Sequence, residues 1–209
     1  MSDKSVVNNV VELLFSDNGK FQGNYSLDGF EKHIHQQNPR ITMVACCDSR
    51  VHTESIHGSP INDAFIIRNI GNQMVTALGS VDYGVNTLKT PLLIIKGHSR
   101  CGAVHGACTI DDIDSSTPVG KELSTLDVKS KNDLNKAILE NIHNQVDFAK
   151  QRYSDKLQNN DIAIIGILYD FANDYSNGHG SLTLVNYNGD TNPEMLKETF
   201  GNLPNLKTL

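Results

Sequence analysis

Ile41-Thr42-Met43-Val44-Ala45-Cys46-Cys47-Asp48-Ser49-Arg50 begins as an apolar, β-branched run and ends in two thiols, a carboxylate and a guanidinium. On an extended backbone alternate side chains share a face, so the spacing predicts that Cys46, Asp48 and Arg50 point together. A soft metal ligand, an acid/base group and a permanently charged fork then sit at the end of a buried strand. Packing alone has no use for that combination. Cys47 falls on the opposite face and is not expected to join Cys46.

A second apolar run, Pro91-Leu92-Leu93-Ile94-Ile95-Lys96-Gly97, has the near-continuous character of a strand covered on both faces. It opens into His98-Ser99-Arg100-Cys101-Gly102-Ala103-Val104. At a strand-to-helix turn, His98 and Cys101 at (i, i+3) are expected to reach the same side of one helical turn. Neighbouring parallel strands deliver such groups to one edge of the sheet, where open α/β proteins build their sites. Two thiolates and an imidazole suit zinc, and three protein ligands leave a fourth position for water or substrate. A structural zinc site and buried or redox-active thiols remain open on spacing alone.

The rest of the chain supplies the frame. Strands are predicted at 63–68, 162–168 and, as an antiparallel or edge strand, 181–187. Helical periodicity marks 5–15, 76–88 and 134–150, and a short helix is expected around 27–37. Residues 109–133 read as a solvated acidic loop; Asp111-Asp112-Ile113-Asp114 lacks the glycine and terminal glutamate of a calcium loop. The tail from 190 is weakly patterned. Strands alternating with helices predict an α/β fold: one domain over 1–209, with a mainly parallel central β-sheet, flanking helices, an antiparallel edge strand and an N-terminal helical arm over about 1–38.

Composition narrows the function classes. A net charge of -6 argues against nucleic acid and anionic membranes as partners. No apolar run approaches the ~20 residues of a membrane span. Met1-Ser2-Asp3-Lys4 lacks a secretory pattern, so a cytoplasmic protein is expected. Cys46, Cys47, Cys101 and Cys108 form no paired CxxC knuckles and read as ligands or buried thiols rather than disulfides.

Cys-x-Asp-x-Arg at 46–50 with His-x-x-Cys at 98–101 resembles the β-class carbonic anhydrases. The similarity continues through Arg68-Asn69-Ile70-Gly71-Asn72, Ser80-Val81-Asp82-Tyr83, Asn141 to Val146 and Gly166-Ile167-Leu168-Tyr169-Asp170. The resemblance implies one Zn2+ per chain on Cys46, His98 and Cys101, with Asp48 and Arg50 as a catalytic dyad beside the metal-bound water. It implies reversible hydration of carbon dioxide to bicarbonate and a proton by zinc-bound hydroxide, and a closed form in which Asp48 itself takes the fourth zinc position. It nominates Phe65 and Tyr83 as pocket residues, the Gly102 amide as a bicarbonate donor, and a homodimer or higher homo-oligomer, with the helix at 5–15 as a contact. Arg68 is left between holding an anion and pairing across an interface. His52, His57 and His105 are candidate proton shuttles.

Three departures stand out: a second thiol at Cys47, Val51-His52-Thr53-Glu54-Ser55 in place of a proline-rich segment, and no tryptophan. Hydrolases of carbonyl sulfide and carbon disulfide share the scaffold and ligand set. A non-enzymatic zinc or thiol-redox protein is the rival of another class.

Overall fold

Pro39 closes off the N-terminal segment, and the chain enters its first strand two residues later. β1 (Ile41–Cys46) pairs in parallel with β2 (Ala64–Asn69) on one side and β3 (Leu92–His98) on the other. β4 (Ala163–Asp170) continues the parallel sheet beyond β3, and β5 (Ser181–Tyr187) closes that edge antiparallel. The order is β2-β1-β3-β4-β5, the α/β architecture expected from the alternating pattern. Because β2 and β3 flank β1 on opposite sides, the order reverses at β1/β3. The carboxyl ends of those two strands are where an open α/β sheet places a site.

The computed structural model describes residues 4–24, 27–55, 61–201, 203 and 205–209, so His57 lies outside the described residues. It divides into two units, Met1–Asn38 and Pro39–Leu209. The first holds α1 (Lys4–Asn24) and α2 (Leu27–Glu31), with Phe21 and Phe30 in edge contact at 6.1 Å. No residue of α1 is buried; Val6, Val7, Val10, Val11, Leu14 and Phe15 all face outward. α1 outruns its expected end at Phe15. Lys20–Asp17 and Gln22–Asn18 contacts continue the helical spacing past Gly19.

In the second unit, Val44, Leu93, Ile95, Ile164 and Leu168 face one layer of the core. Ala137, Ile138, Ile142, Val146 and Ala149, all buried on α6 (Leu134–Arg152), cover them. A Cβ on Gly97 or Gly166 would lie 2.5 or 2.7 Å from Ile142, so the helix lies close only because both positions lack side chains. On the other face Met43, Ala45, Ile94, Ile167 and Leu184 meet Leu196 of α8 (Pro193–Phe200).

The helical run predicted at 76–88 has three pitches: a tight turn over Val75–Ala77, α3 (Leu78–Asp82) and a wide turn over Tyr83–Thr87. α4 (Gly102–Thr109) follows β3. The expected loop 109–133 contains α5 (Pro118–Leu123), capped by Thr117 Oγ1 accepting from the Gly120 amide at 3.0 Å. α7 (Ser154–Gln158) and α8 were likewise unforeseen. α8 starts at Pro193 behind Asn192, whose Oδ1 accepts from the Glu194 amide at 2.9 Å.

Candidate metal centre

β1 and β3 end side by side, and their last residues are Cys46 and His98. Ser99 and Arg100 then turn the chain, Arg100 taking a left-handed conformation (φ 53°), so that Cys101 arrives as the residue before α4. The expectation of one helical turn linking His98 and Cys101 is thus replaced by a tight turn with the same outcome. The ligand atoms of Cys46, His98 and Cys101 lie within 4.8 Å of one another, and all three residues are buried. Cys47 is exposed, as strand alternation predicts.

The donor set fits a metal ion on its own chemistry. His98 Nδ1 lies 2.9 Å from the Ser99 carbonyl, which makes it the protonated nitrogen. Nε2, fully enclosed, has no hydrogen-bond partner. A buried, lone-pair-bearing nitrogen with nothing to accept from is costly unless a cation takes it. The sulfurs behave in kind. The Cys101 thiol bonds to Cys46 and pulls the Cys46 thiol well below its ordinary value, helped by the Asp48 and Gly71 amides, against the effect of burial. The same bond, with burial, pushes Cys101 up. A cation held by both sulfurs would take the place of the proton they share.

Asp48 and Arg50 form the paired bonds expected of a carboxylate and a guanidinium: Nε to Oδ1 at 2.9 Å and Nη2 to Oδ2 at 2.7 Å. This pairing does not come from an extended strand, because β1 stops at Cys46. The Arg50 amide bonds to Asp48 Oδ1 at 2.9 Å and the Val51 amide to the Asp48 carbonyl at 3.0 Å, which folds 48–51 into a turn. The Arg50 bonds hold the Asp48 carboxyl far below the usual carboxylate range, against the effect of burial.

Arg68 has partners within its own chain. Its guanidinium donates to the carbonyls of Cys46 (3.1 Å) and Asp48 (2.8 Å), clamping the backbone on both sides of Cys47. Beneath the segment after the dyad, Lys96 is 1% exposed. Its amine donates to the His52 carbonyl (3.1 Å) and Ser55 Oγ (2.8 Å) and lies 4.7 Å from the centre of the Tyr169 ring. Burial pushes that amine down to about 8. A lone lysine in the apolar run at 91–97 is the sequence signal of this contact.

Gly102 opens α4 beside Cys101, and a Cβ there would meet nothing within 4 Å. Phe65 and Tyr83 pack on each other at 5.8 Å, but Phe65 pairs with Thr42, four residues before Cys46. That is roughly 13 Å from the ligands along the strand. Within one chain they are not brought to the centre. His52 and His105 are exposed.

Fold and centre together define an α/β protein with a buried Cys-His-Cys cluster able to hold a metal at its topological switch point. A family profile described as carbonic anhydrase matches residues 41–176. A carbonic anhydrase of Synechocystis sp. is 34% identical over 100 residues, which cover 44% of this chain and 36% of that protein. Carbonic anhydrase 2 of Mycobacterium tuberculosis is 40% identical over 72 residues, covering 34% and 35%. In these matches the chain spans little more than a third of either relative's length. Among solved structures, the β-carbonic anhydrase CcaA superposes with a TM-score of 0.72 at 25% identity, over 87% of this chain and 88% of that one. A tetrameric β-carbonic anhydrase of Sordaria macrospora shares the fold at 20% identity, with a TM-score of 0.71 over 85% and 97%. The chain belongs to the β-carbonic anhydrase family.

Proposed function

We propose that the chain catalyses the zinc-dependent, reversible hydration of carbon dioxide to bicarbonate and a proton. The observation that carries this reading is the buried Cys46–His98–Cys101 cluster with the Asp48–Arg50 pair on the turn directly after Cys46. Cys46, His98 and Cys101 would hold the zinc, which would supply Lewis acidity toward water, weaker with two thiolates than with three imidazoles. Asp48, kept ionised by Arg50, accepts the nucleophile's hydrogen and so aims its lone pair at the carbon. The Gly102 amide, at the start of α4, donates to the bicarbonate that forms. His98 is fixed in one tautomer by the Ser99 carbonyl and holds its position as charge builds.

The test is metal analysis with stopped-flow hydration of carbon dioxide on the zinc-loaded chain. One zinc per chain and a rate that climbs from pH 6 to pH 9 are expected. A flat profile contradicts the weakened acidity of a two-thiolate site. Tightly bound zinc without hydration overturns the reading, and sulfide release from carbonyl sulfide or carbon disulfide in its place assigns the same site to those substrates. We also place the protein in the cytoplasm, whose reducing conditions keep Cys46 and Cys101 free for metal. Recovery in an exported fraction argues against that.

We further propose one domain over 1–209, with residues 1–38 as its helical arm, working as a homodimer or larger homo-oligomer. The outward apolar face of α1 supports this, as do Phe65 and Tyr83, which stand away from their own centre while Tyr83 is 45% exposed. Both rings are then available to line the centre of a neighbouring copy. Sedimentation is expected to give at least a dimer, and a fully active monomer sinks the idea.

A further inference from the structure

Arg50 is 48% exposed, and an ion pair that open to water holds its partners only loosely. The guanidinium nevertheless has further holds. Its carbon lies 4.6 Å from the centre of the Phe171 ring, and Nη2 donates to the Arg100 carbonyl at 3.1 Å. Both holds trace to the loop after β4. Asp170, the last residue of β4, is completely buried, and its two oxygens accept from the amides of Asp174 (3.0 Å) and Tyr175 (2.8 Å). That coil brings Phe171 over the site and Asp174 onto Arg100, through two bonds of 3.0 Å. Ser99 Oγ, accepting from the Ala172 amide at 3.2 Å, fastens the loop to the turn between the ligands. Phe171 also stacks on His98, with ring centres 6.0 Å apart and planes 26° from parallel.

We propose that Phe171 is a positioning residue for the Asp48–Arg50 dyad. Its ring face attracts the guanidinium and keeps water from that side, so the fork stays planar to the Asp48 carboxylate. A leucine fills similar space without a quadrupole and leaves Arg50 free to swing toward solvent. The proposal rests on the reading of Asp48 and Arg50 as the catalytic pair.

Zinc-loaded wild type, Phe171→Leu and Phe171→Tyr separate this role from plain packing; Phe171→Met stands in if the leucine variant does not fold. In the leucine variant kcat is expected to fall about tenfold with KM little changed and zinc content intact, and tyrosine is expected to restore the rate. The Arg50 Nε–H proton, shifted upfield by the ring in wild type, should move downfield in Phe171→Leu and return in Phe171→Tyr. That resonance needs no turnover, so it reports on Phe171 even if carbon dioxide is not the substrate. An unmoved Arg50 resonance in Phe171→Leu overturns the proposal, as does a tyrosine variant that recovers nothing. Loss of zinc with Arg50 unmoved also overturns it, assigning the ring to His98 instead.

Discussion

Cys46→Ala is expected to bring the zinc content of the purified chain close to zero and hydration down to the uncatalysed rate. Cys46 is the only ligand that β1 contributes, and it is 5% exposed among groups that already favour its thiolate. Without it, His98 and Cys101 offer two donors where zinc wants three or more. Cys47 cannot substitute, since it faces outward while Arg68 fixes the backbone on either side of it. Cys47→Ala should therefore keep both metal and rate. Atomic absorption and stopped-flow assays on the two variants decide the matter; zinc retained at full stoichiometry in Cys46→Ala refutes the ligand assignment.

Asp48→Asn should lower the hydration rate by about a hundredfold to a thousandfold while leaving zinc in place. Asparagine keeps the shape and one oxygen for Arg50, but it loses the charge that takes the nucleophile's hydrogen. The pH dependence sharpens this test. Arg50 depresses the Asp48 pKa, so the stability this group contributes is fully present above its unfolded value of ~4 and lost as pH falls through the lower folded value. Across pH 6 to 9 the carboxylate is ionised throughout, and the climb in rate belongs to another group. Asp48→Asn should accordingly lower the plateau while an inflection persists in that window. An inflection that disappears with the mutation shows that Asp48 itself titrates there.

The clustering of Cys46, His98 and Cys101 was legible because it depends on residue type and strand ends. A thiol closing one apolar run and a histidine closing another must meet if the runs are parallel neighbours. The local geometry was not legible. The fold of 48–51 rests on the Asp48 side chain bonding its own downstream amide, and the turn at Arg100 rests on a non-glycine residue with positive φ. Neither leaves a hydrophobic period to read. α5 and α8 did announce themselves, through Thr117-Pro118 and Asn192-Pro193, but short helices carry too few apolar residues for periodicity to reveal them. Phe171 lies far along the chain from Arg50, and the coil around Asp170 brings them together.

The order β2-β1-β3 gives the centre a second role. Its ligands come from two segments that are adjacent only once β3 has paired with β1, so the unfolded chain has no comparable site. On the proposed zinc reading, an ion on Cys46, His98 and Cys101 would act as a removable cross-link between the first and third strands. Each tenfold excess of free zinc over its dissociation constant would then add about 1.4 kcal/mol to the stability of the sheet. The durability of the fold would in that way follow the metal supply around it.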